Sequence, residues 1–128
     1  MRYLSAIGLA AAIPLAGCGA GVTEDNLASR LEGAAKFLNT DGQAMLADTM
    51  DGAKLTATAE GGDTLVMTIE NVPTGNEIFD PGTMRKLLRP NVCDEAGNRS
   101  VIDAGGKFRI EMISNTGKVQ SPVTIANC

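Results

Sequence analysis

The chain has no histidine and no tryptophan, and its single tyrosine is Tyr3. Without an imidazole there is no Ser-His-Asp or Cys-His nucleophile and no His-ligated zinc. Phe37, Phe79 and Phe108 are the other aromatics, and all three occupy positions that read as core. They leave no stacking platform for nucleic-acid bases and no aromatic floor for a sugar ring. Cations are also scarce. Eleven Lys and Arg face fifteen Asp and Glu, and Arg2 lies in the leading segment, so the remainder carries ten against fifteen. Phosphate backbones need clustered Lys and Arg, so nucleic acid is not an expected partner. A length of 128 residues allows one domain, and the 44% apolar content is raised by the first seventeen residues.

Those residues, MRYLSAIGLAAAIPLAG, carry one positive charge at Arg2 and then an apolar run from Leu4 to Leu15, broken by Ser5, Gly8 and Pro14. The run covers about half to two-thirds of the roughly 20 residues that span a bilayer core, so it reads as a secretory signal, not an anchor. Leu15-Ala16-Gly17-Cys18 then supplies a branched apolar residue, two small residues and a thiol. In this the chain resembles the bacterial lipoproteins, and the match is to their lipobox. The resemblance implies cleavage after Gly17, diacylglycerol on the sulfur of Cys18 and acylation, palmitate among the chains, of the new amino terminus. Each buried CH₂ contributes about 0.8 kcal/mol, so two or three chains hold a protein on a membrane. In a Gram-negative envelope, Gly19 instead of Asp implies the outer membrane, with the domain on its periplasmic face. Residues 1–17 are thus the expected signal, 18–23 the lipidated cysteine and a short tether, and 24–128 one small domain.

With Cys18 given to lipid, Cys93 and Cys128 remain in an oxidising compartment and are expected to form a disulfide. The competing reading makes Cys93 a nucleophile. It would need a lowered thiol pKa, with no His to lower it and only Arg85, Lys86 or Arg89 near in sequence.

A first helix is expected from a cap at Thr23 or Asp25 to about Asn39, with Leu27, Leu31, Ala34, Ala35 and Leu38 as its apolar stripe. Asn39-Thr40-Asp41-Gly42 reads as its stop, and 43–51 as a loop or one helical turn. Leu55, Ala57 and Ala59, the turn Gly61-Gly62-Asp63, then Leu65, Met67 and Ile69 read as a hairpin with one apolar face. Phe79-Asp80-Pro81 announces a second helix: Asp80 caps it, Pro81 fits its first position, and Phe79 packs on Met84 as a staple. That helix is expected to stop or kink near Pro90, and 94–99 reads as a polar loop. Phe108, Ile110 and Met112, the turn Asn115-Thr116-Gly117, and Val119, Val123 and Ile125 make a second hairpin, and Pro122 inside its last strand argues for an edge position or a bulge. The order α-β-β-α-β-β predicts an α+β fold: a four-stranded antiparallel sheet from two hairpins, with two helices on one face. This order weakly resembles small α+β envelope lipoproteins of unassigned activity.

Little in this domain carries chemistry. Asp48 with Asp51, and Asp94-Glu95 with Asn98, lack the spacing of a calcium loop, so no metal and no cofactor are expected. Arg85, Lys86 and Arg89 form one basic patch, either a solvated face or a docking surface for an acidic partner or anionic headgroups. Val66 and Ile113, outside the apolar stripes together with Val101 and Ile102, can seed a small patch on the far side of the sheet. The leading expectation is a non-catalytic lipoprotein, held on the membrane through Cys18, that binds another envelope protein as an accessory or assembly factor. A narrower form is a pilotin, which escorts a secretion-channel subunit to the outer membrane, although no pilotin motif is legible. The alternative is a small-ligand or lipid-binding lipoprotein with a pocket lined by Leu27, Leu31, Met67, Leu87 and Met112.

Overall fold

Apolar side chains alternate along four strands and recur on three helices, and the two patterns close on each other in one core. In a computed structural model the chain is described over residues 21–128; the expected signal segment and Cys18 lie outside the described residues. The elements are α1 (Leu27–Ala47), β1 (Lys54–Glu60), β2 (Thr64–Val72), α2 (Pro81–Cys93), α3 (Ala96–Asp103), β3 (Lys107–Ser114) and β4 (Val123–Ile125). The sheet order is β1-β2-β3-β4. Leu55, Ala57, Leu65, Met67, Ile69, Phe108, Ile110, Met112, Val123 and Ile125 point to one face, where they share a core with Leu31 and Leu38 of α1, Leu88 and Val92 of α2, and Val101 of α3.

The sheet is mixed, not antiparallel throughout. β1 and β3 flank β2, the first antiparallel with Leu55 opposite Ile69, the second parallel with Leu65 beside Phe108. β4 returns antiparallel to β3, with Ile110 opposite Val123. The missed element is α3, and it explains the missed orientation. α2 begins beside the end of β2 and its 13 residues carry the chain about 20 Å along the sheet. α3 occupies that far end, so β3 starts level with Thr64 and runs with β2. The segment 94–99 is therefore not a polar loop: Asn98, Val101 and Ile102 are the buried face of α3.

The expected stop of α1 is overridden by packing, while α2 passes Pro90 and ends three residues later. α1 continues through Asn39 and Gly42 to Ala47, burying Leu46. A side chain at Gly42 would meet the methyls of Leu38 and Leu55 at 3.2 and 3.3 Å, so glycine here permits the close approach of α1 to β1. Pro90 lies inside α2, which continues to Cys93 with the Asp94 amide donating to the Pro90 carbonyl at 2.9 Å. The lost amide bond is tolerated because Val92 and Cys93 beyond it are buried. At the other end of α2, Asp80 accepts from the Thr83 amide at 2.9 Å. Pro122 precedes the short edge strand β4, and Val119 touches Ile113 only through an isolated bridge.

Candidate functional site

At the end of the sheet where β2 and β3 finish, the chain leaves β2 through Asn71, which has a left-handed φ of 60°. Its side chain donates to the Gly52 carbonyl at 2.9 Å. The loop 73–79 that follows arches over the start of α2 and leaves an apolar groove of about 580 Å³. Val72 and Met112 form the sheet side of this groove, Thr83, Met84 and Leu87 the helix side, and Pro73, Thr74, Ile78 and Phe79 the loop side. Ile78 stands 65% exposed at its mouth. Glu77 and Asp80 line it as well, and among the described residues no Lys or Arg does. The groove is thus apolar inside and acidic at its rim.

The loop is held by the segment after β3. The buried Gln120 side chain accepts from the Phe79 amide at 2.9 Å and donates to the Glu77 carbonyl at 2.6 Å, while its own amide donates to the Met112 carbonyl at 2.9 Å. Asn115 accepts from the Gly75 amide at 3.0 Å, and Thr116 donates to the Gly75 carbonyl at 2.8 Å. A buried amide with both of its functions used fixes a backbone more firmly than exposed contacts do. The groove wall is therefore a set structure. Asn115 and Thr116 read as turn residues in the sequence and Gln120 as nothing in particular, because each acts on chain about forty residues away.

The β1 edge is held by side chains of α1, and the β4 edge by one contact from α2. On β1, Asn39 and Gln43 of α1 bond to the backbone of Ala57, Ala53 and Leu55 at 2.7 to 3.0 Å. On β4, Arg85 Nε donates to the Thr124 carbonyl at 3.2 Å. A partner that works by strand addition meets backbone already bonded to α1 along β1.

The basic patch is divided by this arrangement. Arg85 is half-buried against β4, Arg89 is half-buried with no hydrogen-bond partner at its Nε, and Lys86 is exposed. None of the three lines the groove. The expected pocket lining also divides: Leu27, Leu31 and Met67 are closed into the core, while Leu87 and Met112 line the groove. On the sheet face away from the helices, Val66 is buried and Ile113 half-buried, with Arg109 lying between Glu60 at 3.2 Å and Glu111 at 3.7 Å. This face is a charged lattice and not an apolar patch. Val101 and Ile102 do not join it, since both are buried on α3.

The sulfurs of Cys93 and Cys128 are joined at 2.07 Å, tying the end of α2 to the residues after β4. Cys93 in this state has no thiol for nucleophilic chemistry. Among the described residues no helix is long and apolar enough to cross a membrane.

No family profile matches the chain, and no curated protein does. Among solved structures, the type II secretion system pilotin AspS from Vibrio cholerae has the same fold. The TM-score is 0.55 and the identity 21%, over 80% of this chain and 90% of that one.

Proposed function

We propose that this chain is a lipid-anchored accessory protein of the outer membrane, facing the periplasm, that binds another envelope protein in the manner of a pilotin and catalyses nothing. The anchor is the acylated Cys18 of the lipobox. The observation that carries the binding reading is the groove: it is open and apolar, its loop wall is held by the buried Gln120, and the β1 edge of the sheet is already bonded to α1. Likeness in fold to a secretion-system pilotin supports the same reading. The acidic rim at Glu77 and Asp80 selects the occupant, a short apolar segment of the partner flanked by Lys or Arg.

Site-directed photo-crosslinking in intact envelopes tests this. A crosslinker replacing the exposed Ile78 is expected to give an adduct with an envelope protein, and the same probe at Glu32, on the solvent side of α1, none. Leu87→Lys, added to the Ile78 probe, is expected to abolish the adduct while the thermal melt remains cooperative. Adducts of equal yield from positions 78 and 32, or a small lipid co-purifying with the wild type and displaced by Leu87→Lys, would overturn it in favour of a ligand-binding lipoprotein.

A further inference from the structure

The groove and the first described residues lie at opposite ends of the domain. Val22 is fixed: its amide donates to Ser100 Oγ of α3 at 2.8 Å, and its side chain packs on the core. The next residues are tied as well, with the Thr23 amide donating to Asn26 Oδ1 at 2.7 Å and the Asn26 amide to the Thr23 carbonyl at 3.2 Å. This corner lies at the starting end of β2 and β3. A methyl added to Gly106 would sit 3.1 Å from Leu27 Cδ1, and the Lys107 amide donates to the Asp63 carbonyl at 2.8 Å. The groove lies at the finishing end, against Val72 and Met112. Between the two run the nine residues of β2, a span of roughly 26 Å at about 3.3 Å per residue.

Chain length then sets the orientation on the membrane. Cys18 precedes Val22 by four residues, which reach at most roughly 14 Å when fully extended. The headgroup layer of one leaflet is itself about 5–7 Å deep, the difference between the full bilayer and its hydrocarbon core shared by two sides. A domain tethered this closely cannot turn its far end to the bilayer.

We propose that the pole formed by Val22, Ala96, Arg99 and Asp103 faces the lipid surface and that the groove opens away from it into the periplasm. The inference rests on the acylated Cys18 of the preceding reading. Its partner at this pole is the bilayer surface itself, approached through the tether and not through charge. Glu24, Arg99 and Asp103 around Val22 leave no cationic excess that would draw the pole onto anionic lipid. The partner's apolar segment is accordingly met on the periplasmic side, one sheet length from the membrane.

The lipidated protein offers a clean test, because Cys18 is acylated and Cys93 and Cys128 are joined, so an introduced cysteine is the one free thiol. Ala96→Cys on the exposed start of α3 and Glu77→Cys on the groove rim are each labelled with a fluorophore. The proteins are reconstituted in phosphatidylcholine vesicles carrying a nitroxide headgroup. Quenching at position 96 is expected to exceed that at 77 several-fold. Equal quenching, or stronger quenching at 77, in protein whose Cys18 peptide has the acylated mass overturns the orientation and leaves the anchor standing. An unmodified Cys18 peptide overturns the anchor and the orientation together.

Discussion

The side-chain amide of Asn39 pairs with Ala57 as a neighbouring strand would, donating to its carbonyl at 2.8 Å and accepting from its amide at 2.7 Å. One helical turn later Gln43 repeats the device, donating to Ala53 at 3.0 Å and accepting from Leu55 at 2.8 Å. A helix thereby completes the hydrogen bonding of an edge strand. Asn39, which reads as part of a helix stop, is instead one of the residues that hold α1 to β1.

Removing this pairing exposes backbone that the fold keeps satisfied. Asn39→Ala and Gln43→Ala are each expected to lower stability by about 1–2 kcal/mol. Because both act on one strand edge, the double variant is expected to lose a different amount from the two single losses added together. Urea denaturation of the four proteins measures the coupling, and strict additivity would show that the two amides act separately.

Gln120 holds the groove wall from beneath. Gln120→Leu is expected to cost about 1–3 kcal/mol, since the Phe79 amide and the Glu77 carbonyl lose their partner. Hydrogen exchange is the decisive measurement: the Phe79 amide is expected to exchange faster, with α1 amides unchanged beyond the global loss.

Two glycines have opposite expectations. Gly33 is exposed within α1 with open space around it, so Gly33→Ala is expected to stabilise by about 0.5–1 kcal/mol through the unfolded chain and helix propensity. A side chain at Gly106 would stand 2.9 Å from the Val101 carbonyl oxygen, which is backbone and cannot swing aside. Gly106→Ala is therefore expected to destabilise markedly, and thermal melts of the two variants check the signs.

The disulfide closes a loop with a sequence separation of 35. Its reduction, or the paired change Cys93→Ser with Cys128→Ser, is expected to lower stability by about 4 kcal/mol in the chain-entropy view. Equilibrium unfolding with and without reductant measures it.

Acid weakens the fold through two exposed carboxylates. Hydrogen bonds from the Thr83 amide and hydroxyl hold Asp80 below the usual carboxylate range, and the Thr64 hydroxyl and then the Lys107 charge do the same for Asp63. Depressed folded values mean that their contribution is full above the unfolded pKa of about 4 and is lost as pH falls through the folded values. Asp80→Ala is expected to flatten the acid limb of the stability profile. An unchanged limb would remove this carboxylate from the account.

Local pattern was legible residue by residue where the partner group was close in sequence. The Leu55-to-Ile69 hairpin, the Asp80–Pro81 helix start and the apolar stripe of α1 were all plain from alternation, spacing and capping, because burial on one face demands those periods. Tertiary structure alone decided the rest. Whether β3 runs with or against β2 depends on how far α2 and α3 carry the chain, and α3 shows only a short mixed pattern. The groove depends on Gln120 reaching loop 77–79, and the closed edge on Asn39 and Gln43 reaching β1. A polar side chain carries no mark of the distant backbone it satisfies, so such contacts exist only once the fold has brought the two together.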